Sequence, residues 1–142
     1  MANGKATEFK TSQLLRSFYR LNITIQRLPD KYDTGKFEDV RPSDFIVIGL
    51  GGKTSFVECK ESEKLKTSFS ILSTFRKGQV QGMRLAEKLN IPYYVVFNFL
   101  STNQMFLVPS KEILNCLDSG KKSIPFKTIE QYPWTTGELP NL

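Results

Sequence analysis

Asp44, Glu58 and Lys60 are the side chains best spaced to do chemistry. They bound the segment Pro-Ser-Asp-Phe-Ile-Val-Ile-Gly-Leu-Gly-Gly-Lys-Thr-Ser-Phe-Val-Glu-Cys-Lys, in which two apolar, β-favouring runs flank a Gly-Gly turn. A β-hairpin of this form carries an acid at each outer end and an ammonium two positions beyond the second. Two carboxylates hold a divalent cation, and a neighbouring lysine orients or activates a water. That is the equipment for metal-assisted hydrolysis of a phosphodiester.

The geometry depends on register. Residues two apart in a strand point the same way, so Glu58 and Lys60 share a face and Cys59 points opposite, into apolar packing. Asp44 joins Glu58 only if the pairing is centred on Gly51. A plain two-residue turn at Gly51-Gly52 pairs Phe45 with Glu58 and sends Asp44 to the other face. The sequence therefore predicts a three-residue turn, a bulge, or a bend at Asp44, for which Pro42-Ser43 offers a strand entry.

Composition narrows the chemistry. The chain has no histidine, which excludes histidine triads, histidine-bound zinc and histidine general bases. Any metal must be a hard ion held by oxygen, and magnesium or manganese fit best. The formal charge is +6, from 20 basic and 14 acidic residues. The total alone is compatible with a polyanionic partner or with ordinary solubilising charge. The distribution says more: Lys5, Lys10, Arg16, Arg20, Arg27, Lys31, Lys36 and Arg41 precede the hairpin, and Lys60, Lys64, Lys66, Arg76, Lys77 and Arg84 follow it. Such flanks steer a phosphate backbone to the hairpin. Lys5, Arg16, Arg20, Arg41, Lys64, Lys66, Arg76 and Lys77 are the candidate nucleic-acid contacts.

At 142 residues and 39% apolar, the chain is expected to form a single domain, 1–142, with a real core. Its longest apolar stretch, Ile91 to Leu100, is interrupted by Pro92 and Asn98. It falls far short of the roughly 20 residues of a membrane span. The N-terminus has no apolar run of the secretory kind, so cytosolic residence is the expectation. Cys59 and Cys116 are expected to stay reduced.

Residues 6–21 carry Thr11, Leu14, Leu15, Phe18 and Leu21 at helical spacing, with Glu8 on the same inward stripe. A carboxylate there complements a helix dipole or serves a site. Residues 22–28 alternate like a strand, and 29–42 read as loop. Residues 61–68 read as a charged linker, 69–72 as a short apolar piece and 79–89 as a helix. Strands are expected at 92–99 and 104–108, then a helix capped by Ser110, with a short element at 124–129. The order is that of a mixed α/β domain with a central sheet covered by helices. The aromatics, including Phe18, Tyr19, Tyr93, Tyr94, Phe97 and Phe99, are assigned to core or dimer contacts, and Trp134 to packing.

These motifs resemble a known pattern. Pro-Ser-Asp44 followed by Glu58-Cys-Lys60 is similar to the PD-(D/E)XK nuclease core. More closely, the chain resembles the RecU-type Holliday junction resolvases. The matching pieces are Gly4-Lys-Ala-Thr-Glu8, Pro42-Ser-Asp44-Phe, Phe56-Val-Glu58-Cys-Lys60-Glu-Ser, Thr67-Ser-Phe69, Phe75-Arg-Lys-Gly-Gln79-Val-Gln-Gly-Met83 and Gly120-Lys-Lys-Ser-Ile124.

The resemblance implies a restriction-endonuclease-like mixed central sheet flanked by helices. It implies Glu8, Asp44 and Glu58 as the acidic site residues, Lys60 as the catalytic lysine and Gln79 as a supporting polar residue. It also implies a homodimer that cuts two strands of a four-way DNA junction symmetrically, leaving 5′-phosphate and 3′-hydroxyl ends, in a bacterial cell or a phage-infected host cell. Asp44, Glu58 and the Cys59 backbone carbonyl are expected to bind Mg²⁺, with Mn²⁺ as a substitute and Glu8 contributing directly or through water. Lys60 is expected to position or deprotonate the attacking water. Two departures stand out: Pro29 to Arg41 leaves room for only a short stalk, and Gly78 occupies the place of the family's histidine. The competing expectations are a restriction-like or flap endonuclease on the same fold, a non-catalytic DNA-binding module, and an RNA-directed protein, for which a stacking platform is missing.

Overall fold

The computed structural model describes residues 4–29 and 41–142. The short stalk expected between Pro29 and Arg41, with Lys31 and Lys36, lies outside the described residues.

Helix α1 (Lys5–Tyr19) opens the chain and buries Thr7, Glu8, Thr11, Ser12 and Leu15. It ends sooner than its apolar spacing suggests. Arg20 takes a left-handed φ of 55° and leads into a 3₁₀ turn over Arg20–Asn22. Leu21, expected on the inward stripe, is thereby thrown out to 99% exposure, and Phe18 is 44% exposed.

The strands β1 (Thr24–Arg27), β2 (Phe45–Ile48) and β3 (Thr54–Ser62) form an antiparallel meander. Beyond it come β4 (Ser68–Ser70), a single-turn helix α2 (Ile71–Thr74) and helix α3 (Lys77–Lys88). Then β5 (Tyr93–Phe99) returns parallel to β3, and β6 (Gln104–Pro109) pairs antiparallel with β5. Helix α4 (Ser110–Asp118), β7 (Ser123–Pro125) and α5 (Phe126–Ile129) complete the elements. The main sheet has the order β1-β2-β3-β5-β6, and β4 pairs with β7 in a second, two-stranded sheet.

Two expectations are corrected. Glu61 and Ser62 are not linker: β3 runs on through them because the long apolar β5 offers ladder partners as far as Ser62↔Phe99. Ser110 is not the cap of α4. Pro109, still extended at ψ 141° from β6, takes that place, and Ser110 is already helical.

Every residue of β5 is buried, as a strand covered on both faces requires. One core, on the α3 side, gathers Phe75, Met83, Phe97, Phe99 and Ile113. The other, on the α1 side, gathers Leu15, Phe45, Val57, Cys59 and Trp134. Tyr93, Tyr94, Phe97, Phe99 and Trp134 are thus buried packing residues, and the Trp134 indole N–H donates to the Glu138 carbonyl at 2.9 Å. The β3 side chains therefore divide by parity, with Val57 and Cys59 towards α1, and Glu58 and Lys60 towards α3.

Candidate active site

The turn between β2 and β3 decides whether the acids meet. Phe45 pairs with Val57 and Ile48 with Thr54, a register centred on Gly51. The Gly49 N–H donates to the Lys53 carbonyl at 2.8 Å, closing a three-residue turn, Leu50-Gly51-Gly52. Gly51 and Gly52 have φ of 73° and 75°, which only glycine adopts without strain. The three-residue alternative is the one realised, and Asp44 stands opposite Glu58.

Asp44 sits one residue before β2, and its carboxylate continues the ladder that its backbone leaves. The Cys59 N–H donates to Asp44 Oδ2 at 2.8 Å. A strand residue directs its N–H and C=O to the same edge, so the Cys59 carbonyl opens on the Asp44 side too. Arg41 Nη1 lies 3.1 Å from Asp44 Oδ1 and donates to the Leu28 carbonyl at 3.3 Å. The strand entry is fixed from behind. The Tyr93 hydroxyl donates to the Pro42 carbonyl. Helix α3 approaches so closely that a Cβ on Gly82 would lie 2.9 Å from Pro42 Cα.

Glu58 is 2% exposed. Its Oε2 accepts from Gln79 Nε2 at 2.9 Å and lies 3.4 Å from Lys60 Nζ. Its Oε1 is buried with no hydrogen-bond partner. Burial pushes the Glu58 carboxyl up to about 8, helped by the charge of Asp44 and opposed by Lys60 and Arg41.

Gln79, in the first turn of α3, joins the acid to the base. Its Oε1 accepts from Lys60 Nζ at 3.1 Å and from the Arg76 N–H at 3.0 Å. The amide therefore faces the ammonium with its oxygen and the carboxylate with its nitrogen, the one orientation that satisfies both. Lys60 Nζ also lies 5.3 Å from the centre of the Phe75 ring, a cation–π contact.

Glu8 is 8% exposed on α1, with Arg27 Nε 2.8 Å from its Oε1, and its charge is felt by Cys59 from the α1 side. Lys5 and Arg16 line a groove beside Glu8. Arg20 is exposed in the turn after α1, Lys64 and Lys66 in the connection from β3 to β4, and Arg76 and Lys77 at the start of α3. Arg41 is largely buried and engaged with Asp44. The sequence reading missed that pairing, although the three-residue spacing was a signal. It also missed Arg27 as the partner of Glu8, and Tyr93 and Gly82 as the groups that set Pro42. These depend on contacts between distant segments and have no local mark.

Can this set hold a metal? Among the described residues, no group of three or more His, Cys, Asp or Glu side chains converges as a closed cage would. Magnesium needs no such cage, because it keeps several waters and takes one or two carboxylates. Asp44 and Glu58 supply two, and Glu58 Oε1 is a buried carboxyl oxygen without a hydrogen-bond partner, which a cation replacing the proton would satisfy. The donor set fits a hard divalent ion.

Comparison with known proteins points to one family. The family model described as Recombination protein U matches residues 15–137, which include Asp44, Glu58, Lys60 and Gln79 and leave Glu8 outside. The Holliday junction resolvase RecU of Pediococcus pentosaceus is 32% identical over 99 residues, covering 67% of this chain and 48% of that protein. The chain thus spans about half the length of this curated relative. The structure of Archaeoglobus fulgidus Hjc, a Holliday junction resolvase, superposes with a TM-score of 0.55 at 14% identity. The match covers 87% of this chain and 90% of that one, and it shows a shared fold.

Proposed function

The chain belongs to the RecU family, and on that premise we propose that it is a divalent-metal-dependent endonuclease that resolves four-way DNA junctions by symmetric phosphodiester hydrolysis. The observation that carries this reading is the buried Glu58 carboxylate. One oxygen is braced by Gln79 and Lys60, and the other is left without a partner beside Asp44.

Asp44, Glu58 and the Cys59 carbonyl would hold Mg²⁺, with Mn²⁺ able to replace it. When bound, the ion polarises a phosphoryl oxygen and offsets charge that develops in the transition state. The chain's own residues do the rest. Gln79 fixes Glu58 and Lys60 relative to each other. Lys60, held over Phe75, places its ammonium to position a water or to exchange a proton with it. Arg41 pairs with Asp44 and holds its carboxylate aimed at the Cys59 amide. Glu8, tied to Arg27, supplies negative charge from the α1 side.

Symmetric cutting requires two such sites, so the active form is taken to be a homodimer of single nuclease domains. No helix among the described residues is long and apolar enough to cross a membrane. The place of action is taken to be the cytoplasm of a bacterial cell or of a phage-infected host.

The test is incubation with a synthetic four-way junction, a linear duplex and a flap, each with and without Mg²⁺. Paired symmetrical nicks confined to the junction and the metal are expected. Preferential cleavage of duplex or flap overturns the substrate assignment. Absence of cleavage with both Mg²⁺ and Mn²⁺, while binding persists, favours a DNA-binding module. Asp44→Asn and Lys60→Ala should abolish cleavage yet leave junction binding largely intact.

A further inference from the structure

A groove of about 310 Å³ runs between α1 and the β1–β2 pair. Its helical wall is a single stripe, Lys5, Phe9, Ser12 and Arg16, spaced at four, three and four residues so that all fall on one side of α1. Its other wall includes Arg27 and Phe45, and Glu8 lies at its floor. The groove lies on the α1 side of the sheet and meets the expected site residues at Glu8, which pairs with Arg27, while Phe45 follows Asp44 in the chain. Phe9 is 64% exposed among the groove's basic residues. A large apolar ring left open between basic groups is what a stacking platform for single-stranded nucleic acid requires, since cations track the backbone and the aromatic face takes a base of any sequence.

Resting on the endonuclease reading above, we propose that this groove seats a DNA strand at the branch point, with Phe9 stacking on a base unpaired there. The occupant is DNA rather than a second copy of the chain, because three of the lining side chains are basic and only Glu8 is acidic. Phe9 then contributes to substrate choice. An intact duplex keeps its bases stacked and offers nothing to the ring, whereas a junction centre exposes them.

The experiment uses the full chain carrying Asp44→Asn, so that binding is measured without cutting. Four-way junction and linear duplex are compared, with 2-aminopurine placed at the branch point of the junction. Adding Phe9→Ala is expected to weaken junction binding by roughly ten- to a hundredfold, the loss of one stacked base, and to abolish the change in 2-aminopurine fluorescence on binding. Duplex binding should move less than threefold, and Phe9→Trp should restore the junction preference. Arg16→Ala should lower the salt dependence of binding by about one unit of log–log slope.

Phe9→Ala that binds junction as the parent does, or that weakens junction and duplex equally, overturns the proposal and leaves the endonuclease reading standing. So does a change in oligomeric state in Phe9→Ala, measured by light scattering, because it marks the ring as an interface between copies. A parent chain that binds no DNA overturns both readings.

Discussion

On one face of β3, Glu58 and Lys60 look towards α3. On the other, Cys59 and Glu61 look towards α1. On the α1 side the polar groups close on one another. Thr7 donates to Glu61 Oε1 at 2.6 Å, Asn98 Nδ2 donates to Thr7 at 3.1 Å, and the Cys59 thiol sits 3.5 Å from the Thr11 hydroxyl. The lapses there are neutral: among the described residues, Ser55 Oγ and Asn98 Oδ1 lack a partner. On the α3 side the unpartnered atom belongs to an acid, Glu58 Oε1, and burial, helped by the Asp44 charge, raises that acid's proton affinity far above normal. The α1 face is built to lock a helix onto the sheet. The α3 face leaves a buried acid incompletely matched, which is what the proposed cation would complete.

Substituting neighbours of opposite parity tests this directly. Lys60→Ala should lower single-turnover junction cleavage by about 10²- to 10⁴-fold, the usual worth of a positioned proton-transfer group. Glu61→Gln keeps an acceptor for Thr7 and should stay within a few-fold of the parent. Comparable losses from the two would erase the distinction between the faces.

Gln79 should come next in size. It touches both Glu58 and Lys60 and is placed to act through them. Gln79→Ala should raise the Mg²⁺ concentration needed for half-maximal cleavage by roughly ten- to a hundredfold, as loss of a group that orients a metal ligand does. A matching circular dichroism spectrum and melting curve would separate this from damage to α3. An unchanged Mg²⁺ requirement would remove Gln79 from the site.

The third difference appears as stability against pH, in the presence of a chelator. Glu58 has its pKa raised in the fold, from 4.5 to about 8, so folding favours the protonated form. Its contribution is fully present below about pH 4.5 and is lost as pH rises to about 8. Glu58→Gln mimics the neutral acid. It should therefore melt close to the parent at pH 5 and a few degrees above it at pH 8, on the order of 1 kcal/mol or more. Adding Mg²⁺ should raise the melting temperature of the parent and not that of the variant. A parent that gains stability between pH 5 and pH 8 relative to the variant would contradict the buried, uncompensated state of Glu58.

The α3 face was far more legible in sequence than the α1 face. Asp44, Glu58 and Lys60 sit at the ends of one hairpin, so strand parity and one turn place them, and Gly51 and Gly52 narrowed the turn. Gln79 entered only through resemblance, because a glutamine at the start of a helix carries no chemical mark of its own. The partners on the α1 side were invisible for a different reason. Arg27 meets Glu8, and Thr7 meets Glu61, only after a helix has docked on a sheet, and no local period encodes that. The end of α1 is hidden in the sequence because the apolar spacing continues to Leu21 while the backbone takes a positive φ at Arg20. Ser62 reads as linker because the segment it lies in is polar, whereas β5, distant in sequence, supplies the ladder that makes it a strand.

The smallest effect concerns thiols, and it tests how closed the α1 face is. Cys59 is 7% exposed, and burial together with the Asp44 charge raises its pKa well above that of a free thiol. Thiolate is the reactive form, so Cys59 should stay unmodified by iodoacetamide at pH 8 while the fold is intact. Cys116, half-buried on α4, should react first, leaving one label per chain by mass spectrometry and a second only in denaturant. Thr11→Val removes the weak acceptor for the Cys59 thiol with little change in volume. It should cost less than about 1 kcal/mol and leave the labelling order unchanged. Early labelling of Cys59 would mean that α1 lifts from the sheet under native conditions. The two faces would then differ in how often they open rather than in how completely their polar groups are matched.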